Sequence, residues 1–256
     1  MYINSFNTAQ DAFETLYDAI IENGVEYIGT KAIFDIGFII ENPMDNKINT
    51  PWRKWNQEYA DYEWEWYLSG DRSVESLEKR AKIWSKMYKP GDPDKKVNSN
   101  YGFQWQRNNQ LDKIVEKLKV DPYTRQAVIS IYDGKEIDDY EYDTPCTNTI
   151  TFYQRPDMKR KLNMSVQMRS NHTTFGFTND QYFFSKLQKM VADRLELEVG
   201  YYYHHAVNMH LYEYDFNKKS NWENINNVKY INQSDFDESI HDCSHEEFYS
   251  KLIITT

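Results

Sequence analysis

The chain has 256 residues, 16% of them aromatic, and its 40 acidic and 30 basic side chains give a formal net charge of −10. This length can bury a sizeable core, whereas the acidic balance disfavours a general hold on nucleic-acid phosphates. Two cysteines give no sign of a disulfide framework or a zinc site. We expect a cytoplasmic protein, because the sequence has no signal-peptide pattern at its N-terminus and no apolar run long enough to span a membrane.

The first half of the chain predicts mainly helices. Apolar residues recur there at helical spacing, and the first helix begins after a capping residue at Asn7 or Thr8 and stops at Gly24. The same reading predicts a strand over 31–40 and helices over 56–68, 73–88 and 110–120.

The second half predicts mainly strands, because the hydrophobic period changes to two. One long helix, ending at Gly200, lies between the last two of the strands predicted over 126–132, 146–154, 161–170 and 201–216. Several of these strands have one apolar face and one face of hydrogen-bonding side chains. We therefore expect a single α+β domain over 1–256, with a mixed sheet that packs helices on one side and lines a polar cavity with the other.

Cys146 follows a proline at the start of a predicted strand, in the stretch DTPCTNT. Free cysteine is among the most buried residue types, so a structural role is the common outcome. A catalytic thiol needs its pKa, which is about 8.5 in the free residue, lowered by a nearby cation. Arg169, on another predicted strand, is a candidate for that cation.

Groups that suit a small anionic ligand lie at two strand ends. Arg169 and Ser170 combine a planar guanidinium with a hydroxyl, which suits a phosphate. His210 and Tyr212 lie two residues apart on one strand face, where they can bind sugar hydroxyls. The ordinary alternatives are a solvated strand end and a pair of surface side chains bonded to each other.

Glu63 lies between aromatic residues in the stretch YEWEWYLSGD. A glutamate buried in such surroundings has a raised pKa and can relay protons. Exposed helix glutamates are commoner, so the pattern leaves both interpretations open.

Six stretches together resemble the thymidylate synthase family in their order and approximate spacing: EWEWYLSGD, NSNYGFQW, RQAVIS, DTPCTNT, QMRSNHTTFGFTND and HLYEYDF. The resemblance covers roughly residues 25–216. NSNYG, CTNT and the RSN, FGF and ND groups are most similar to the family's branch of phage deoxycytidylate (dCMP) hydroxymethylases. Each stretch alone is weak, but the combination is specific.

The resemblance implies a homodimer with sheets packed back to back, methylenetetrahydrofolate as one-carbon donor, and no metal. It makes Cys146 the nucleophile that adds to C6 of the pyrimidine, and Glu63 the organiser of a proton relay. The nucleotide contacts that it implies are Arg169 and Ser170 at the phosphate, Arg125 from the neighbouring subunit, His210 and Tyr212 at the sugar, and Tyr101, Thr147 and Asn148 along the site. The folate contacts that it implies are Trp84, His172 and Gly176.

Asp180 indicates which pyrimidine is bound. The resemblance places it where synthases that act on uracil have an asparagine, whose amide pairs with O4 and N3–H. Cytosine has an amino donor at N4 and an acceptor at N3, which a carboxyl group matches when one proton is shared. The other interpretation is a cap for the helix that begins here.

These features together predict an enzyme that hydroxymethylates dCMP. In the mechanism that the resemblance implies, water gives a hydroxymethyl product and hydride gives a methyl product. The alternatives are therefore a dCMP or CMP methylase, a dUMP-acting synthase or hydroxymethylase, and, from another class, a non-catalytic nucleotide or RNA binder that kept the fold.

Several positions depart from the family pattern. Thr147 replaces the histidine that usually follows the nucleophile, and Gln126 replaces the second arginine of a pair. His172 stands where an aspartate typically contacts the folate ring. An early arginine of the phosphate site is absent, with Lys31 as a candidate replacement.

Overall fold

The structure is a computed structural model that describes residues 4–231. Cys243 and the C-terminal KLIITT, in which the family's usual apolar C-terminus is not recognisable, lie outside the described residues. The backbone divides into a first unit that ends at Phe216 and a second unit that begins at Asn217. A single domain over 1–256 stays a prediction.

Eight strands of the described chain form one mixed sheet. They are β1 (Asn4–Phe6), β2 (Val25–Tyr27), β3 (Thr30–Ile40), β4 (Val128–Ser130), β5 (Thr147–Arg155), β6 (Met158–Met168), β7 (Asn171–His172) and β8 (Glu198–Tyr212). Their order is β1-β3-β8-β6-β5-β4, with β2 paired to β3 and β7 paired to β8. β6 and β7 run parallel to β8, whereas β3 and β8, and β5 and β6, are antiparallel pairs.

Six helices belong to the described part of the first unit. They are α1 (Ala9–Asn23), α2 (Gln57–Ser69), α3 (Glu75–Glu78), α4 (Tyr101–Gln106), α5 (Gln110–Val120) and α6 (Thr178–Arg194). Local sequence fixes where several of them begin: Thr8 and Asp11 form a capping box on α1, and the side chains of Asn56 and Asn100 cap α2 and α4.

The core lies between the sheet and the helices on one of its faces. The apolar face of β6, formed by Leu162, Met164, Val166 and Met168, is fully buried. α1 and α6 lie over β3, β6 and β8 and supply apolar side chains such as Leu16 and Leu187 to the same core. The expected α+β architecture, with a mixed sheet and helices, is confirmed.

The prediction of one continuous helix over 73–88 is wrong. The helix α3 has four residues, Ala81 is extended, and a separate 3₁₀ turn spans Lys82–Lys86. Trp84, in this turn, packs against Trp66 and donates a hydrogen bond from Nε1 to the hydroxyl of Tyr59. We attribute the break to these tertiary contacts, which override the local helical propensity.

In the second unit, the described residues form one helix, α7 (Lys218–Ile231). The sequence from 217 onward gave no periodic signal that would have predicted this helix.

Candidate active site

The sheet topology gathers the predicted site at one of its edges. β5 pairs antiparallel with β6, so Thr147 at the start of β5 lies opposite Met168 at the end of β6. β8 runs parallel to β6, so its end lies on the same side. Cys146, Arg169 and His210 therefore come from distant parts of the sequence to one edge of the sheet.

Arg169 lies directly beside the Cys146 thiol. Its backbone N–H donates to the Cys146 carbonyl over 2.9 Å, and its Nη2 lies 3.7 Å from Sγ. The guanidinium also donates to the carbonyl oxygens of Pro145, at 3.1 Å, and Thr144, at 2.8 Å. The structure thus fixes a cation next to the candidate nucleophile.

Burial raises the pKa of the Cys146 thiol to about 11. The charge of Arg169 opposes this rise, whereas the carboxyls of Asp180 and Asp143 add to it. The thiol is therefore protonated at neutral pH in the protein alone. Attack on a substrate requires that this proton leave as the substrate binds.

Glu63, on α2, is buried, with 4% of its surface exposed. Burial raises the pKa of its carboxyl to about 8, and the nearby charge of Asp180 acts in the same direction. The Tyr59 side chain hydrogen-bonds to the carboxyl and the Tyr67 hydroxyl donates to Oε1 over 3.2 Å, and both bonds oppose the rise. Glu63 can therefore take up or release a proton near neutral pH.

Asp180 is the third residue of α6, and its carboxyl turns away from the start of that helix. The Nδ2 amide of Asn171 donates to its Oδ2 over 2.7 Å, and no side chain caps α6 at its first residue. Burial raises the pKa of Asp180 to about 7, and the bond from Asn171 opposes the rise. The residue stays partly accessible although its carboxyl is surrounded by protein. The helix-cap interpretation therefore does not hold.

Tyr101 and Thr147 form buried walls near these groups. The Tyr101 ring stacks on Tyr67, with ring centroids 5.5 Å apart, and is 4% exposed. Its pKa is raised by burial and by the neighbouring Asp180 and Cys146, which keeps the phenol protonated. Thr147 is fully buried, and its hydroxyl has no hydrogen-bond partner among the described residues.

His210 and Ser170 lie side by side at the more open end of the site. His210 Nδ1 is 3.5 Å from the Ser170 hydroxyl and 2.8 Å from Asn208 Oδ1. Burial, with a smaller effect from His172, lowers the pKa of His210 to about 4, so its ring is neutral. Because Nδ1 donates to Asn208, Nε2 is left as an acceptor for a ligand hydroxyl.

A cavity of about 410 Å³ opens over this end of the site. Arg169, Ser170, His210 and Tyr212 all line it. A second cavity, of about 430 Å³, lies on the other side of Arg169 and is lined by Asn148. Cys146, in contrast, lies at the closed end, with Glu63 and Asp180. The cavity at the open end has room for a sugar phosphate.

His172 and Trp84 use their polar atoms within the protein. His172 Nε2 donates to Asp215 Oδ2 at 2.7 Å and lies 2.8 Å from the Thr174 hydroxyl, which donates to Asp215 Oδ1. Trp84 is 6% exposed and bonded to Tyr59. His172 Nε2 and Trp84 Nε1 are therefore both engaged within the protein.

Other residues on the same side fit a flat, polar heterocycle. The rings of Tyr59 and Phe175 are both partly exposed, with centroids 6.2 Å apart, and Phe175 adjoins Gly176. The Nδ2 amide of Asn179 is buried and has no hydrogen-bond partner among the described residues. The two partly exposed aromatic rings can pack on the flat ring system of a folate.

Arg125 and Lys31 are not brought to the other site residues. Arg125 is exposed before β4, and within residues 4–231 nothing bonds it to them. Lys31 pairs in register with Leu211, on the opposite sheet face from His210, and its Nζ donates to the Ile21 carbonyl. Lys31 therefore does not replace the missing phosphate-site arginine.

Sequence reasoning missed the residues that orient the site. Asn171 holds Asp180, Asn208 holds His210, and Thr174 and Asp215 hold His172. Asn171 and Asp215 lie inside the family-like stretches RSN and HLYEYDF, next to recognised residues. The feature that could have indicated Asn171 and Asp215 is a polar side chain at a position that is buried.

Comparison with known proteins decides the family. The family model for thymidylate synthase matches residues 11–244. The chain belongs to the thymidylate synthase family. It is 30% identical over 219 residues to the deoxycytidylate 5-hydroxymethyltransferase of Enterobacteria phage T2, covering 78% of this chain and 83% of that protein.

Two further relatives carry related names. The phage T4 deoxycytidylate 5-hydroxymethyltransferase is 32% identical over 182 residues, which is 67% of each chain. A deoxyuridylate hydroxymethyltransferase of Pseudomonas phage M6 is 30% identical over 158 residues, or 60% of this chain and 44% of that protein.

Family membership makes this chain an enzyme that transfers a one-carbon unit to a pyrimidine nucleotide. Enzymes of the family use methylenetetrahydrofolate as co-substrate. Among residues 4–231 no helix has the length and apolar character to cross a membrane. No cluster of three or more candidate metal ligands is found in the same range.

Proposed function

We propose that the enzyme converts dCMP into 5-hydroxymethyl-dCMP. The observation that carries this proposal is the buried carboxyl of Asp180, whose charge acts on Cys146 and whose pKa is about 7. A carboxylic acid donates one hydrogen bond and accepts another, which matches N3 and N4–H₂ of neutral cytosine. An ionised carboxylate would oppose O4 of uracil with a second acceptor, which a buried site penalises strongly.

Cys146 serves as the nucleophile at C6 in this proposal. Arg169 is positioned to stabilise the thiolate, and it also lines the cavity that would receive the phosphate. A bound phosphate dianion would share the guanidinium, so substrate binding and thiol activation are coupled through one side chain.

Glu63 handles the proton and the water. Its buried carboxyl, with a pKa of about 8, suits a group that orients a water molecule and exchanges a proton with it. Thr147, which replaces a histidine of the family pattern, leaves a short hydroxyl in place of a bulky ring nearby. A site that admits water favours the hydroxymethyl product over the methyl product.

The folate, when bound, supplies the one-carbon unit. The partly exposed Tyr59 and Phe175 are the residues that would pack on its ring, with Gly176 beside them, and Trp84 supports Tyr59 from behind. We also propose that the enzyme acts as a homodimer, in which Arg125 reaches the phosphate of the partner's site. A reducing cytoplasm, that of the host if the source is a virus, would keep Cys146 free.

Identification of the reaction product tests this proposal. The enzyme is incubated with methylenetetrahydrofolate and, in turn, dCMP, dUMP and CMP, and the nucleotides are identified by mass spectrometry. We expect hydroxymethyl-dCMP, without the absorbance change that accompanies dihydrofolate formation. Turnover of dUMP alone would refute the proposal.

Two other outcomes would support the alternative functions. A methyl group on dCMP, with dihydrofolate formed, would make the protein a cytidylate methylase. No turnover of any nucleotide, with a biological activity that survives Cys146→Ala, would make it a binding protein that kept the fold.

A further inference from the structure

Asn171 is a buried amide that contacts the base-reading carboxyl. It is 2% exposed, and its Nδ2 donates to Asp180 Oδ2 over 2.7 Å. Its Oδ1 is buried and has no hydrogen-bond partner among the described residues. The amide therefore acts on Asp180 through a single, defined bond.

Gly176 leaves the space that this amide occupies. A Cβ atom added at Gly176 would lie 2.8 Å from Asn171 Nδ2 and 3.4 Å from Asp180 Oδ2. The first distance is shorter than real Cβ contacts, so any larger residue at this position must displace the amide. The glycine and the asparagine thus form one arrangement around Asp180 Oδ2.

A protonated carboxyl alone cannot tell cytosine from uracil, because either oxygen can carry its proton. With the proton on the oxygen that faces N3, the group donates to N3 of cytosine and accepts from its amino group. With the proton on the other oxygen, it donates to O4 of uracil and accepts from N3–H. Selectivity therefore needs something that fixes which oxygen is the acceptor.

We propose that Asn171 is a specificity-determining residue that holds Asp180 Oδ2 as the acceptor, opposite position 4 of the pyrimidine. The donated N–H occupies Oδ2 and leaves the proton to Oδ1, so only the pattern of cytosine is matched. This inference rests on the proposed action on dCMP. It also gives Gly176 a role in substrate choice, separate from any contact with folate.

The charge of Asp180 acts on five other ionisable groups. They are Glu63 and Tyr67 on α2, Tyr101 on α4, Cys146 before β5 and Tyr202 on β8. Burial raises the pKa of each, to about 8 for Glu63 and about 11 for Cys146, so none of the five is mainly ionised at neutral pH. The test therefore compares two substrates at one pH, so that these groups affect both alike.

The test is the ratio of kcat/KM for dCMP to that for dUMP, together with the Kd of each nucleotide measured by calorimetry without folate. Asn171→Ala removes the donor, and Gly176→Ala pushes it away from Asp180. We expect the ratio to fall about 5- to 100-fold in both variants, the range for a buried acceptor that loses its hydrogen-bond partner. Gly134→Ala is the matched control, because its added Cβ would meet nothing within 4 Å.

A double-mutant cycle separates this role from a structural one. In Asp180→Ala no carboxyl remains for Asn171 to orient. Adding Asn171→Ala to that variant should change the ratio by less than about threefold. A general loosening of the site would lower kcat/KM for both substrates equally and leave the ratio unchanged in every background.

The outcomes distinguish the two proposals. A wild-type enzyme that prefers dCMP, with an unchanged ratio in both Asn171→Ala and Gly176→Ala, overturns the role of Asn171 alone. A wild-type enzyme that turns over only dUMP overturns the proposed function, and with it the orientation given to Oδ2. If Asn171→Ala does not fold, Gly176→Ala and the calorimetry still decide.

Discussion

The two ends of the site are built on opposite principles. At the closed end, where we propose that the base binds (the base end), burial sets the protonation of three groups. The pKa is about 11 for Cys146, 8 for Glu63 and 7 for Asp180. At the sugar–phosphate end, Arg169 and Tyr212 are exposed and line an open cavity.

This difference separates the groups that carry out the chemistry from the groups that bind the substrate. The base end keeps acids neutral and a thiol protonated, so its groups change charge only when a substrate arrives. At the open end, the hydrogen-bond donors are exposed and need no change of charge to bind a substrate. We therefore expect substitutions at the base end to change kcat and pH dependence, and substitutions at the open end to change KM.

The largest effect should come from Cys146→Ser. A hydroxyl is a far weaker nucleophile than a thiolate, so we expect kcat to fall by a thousand-fold or more, on the order of other nucleophile removals. Binding of dCMP, measured by calorimetry, should change little. A Kd that weakens in proportion to kcat would contradict the division into two ends.

Glu63→Gln should lower kcat by about a hundred-fold, the scale of a lost proton-transfer group. It should also stabilise the protein at high pH. The folded-state pKa of Glu63, about 8, lies above its ordinary value of 4.5. The wild-type fold therefore loses stability as pH rises through this interval, by an amount on the order of 5 kcal/mol.

Urea unfolding of wild type and Glu63→Gln at acidic and alkaline pH measures this stability difference. The variant should gain over the wild type only towards alkaline pH. The matched control is Glu65→Gln, an exposed position on the same helix. Equal pH dependence in all three proteins would show that the Glu63 carboxyl is not desolvated.

Arg169→Gln links the two ends and should affect both. We expect KM for dCMP to rise about 10- to 100-fold from the lost phosphate contact. Alkylation of Cys146 at a fixed pH should also slow, because the cation that opposes the raised thiol pKa is gone. The exposed Arg160→Gln serves as control. A changed KM with unchanged alkylation would separate binding from thiol activation.

Tyr212→Phe should have the smallest effect. It removes one exposed hydroxyl and keeps the ring contacts to His172 and His210. We expect a few-fold rise in KM and an unchanged kcat, as for the loss of one hydrogen bond to a neutral group. Steady-state kinetics checks this, and a large fall in kcat would place Tyr212 in the chemistry.

Much of the fold follows from the sequence alone, because periodicity reports which face of an element is buried. The apolar alternation in 161–170 predicted the buried face of β6, and a cap at Asn7 or Thr8 predicted the start of α1, where Thr8 is the cap. The helix expected over 73–88 failed because Trp84 bonds to residues on another helix. No local pattern reports such a contact.

The same distinction applies to the candidate site, where some residues could be predicted from the sequence and their contacts could not. Cys146, Arg169 and Asp180 were recognisable from the stretches that contain them. The bond from Asn171 to Asp180, and the engagement of His172 by Asp215, depend on how two segments meet in space. Side-chain partners of this kind are set by tertiary packing, which a single sequence does not encode in any short pattern.

The bond between His172 and Asp215 also constrains how this chain could have diverged. Asp215 is fully buried and accepts from the imidazole at 2.7 Å. Restoring the aspartate that the family typically has at position 172 would set two carboxylates against each other in a dry environment, at a cost of several kcal/mol. An aspartate at position 172 would therefore require a change at position 215 as well.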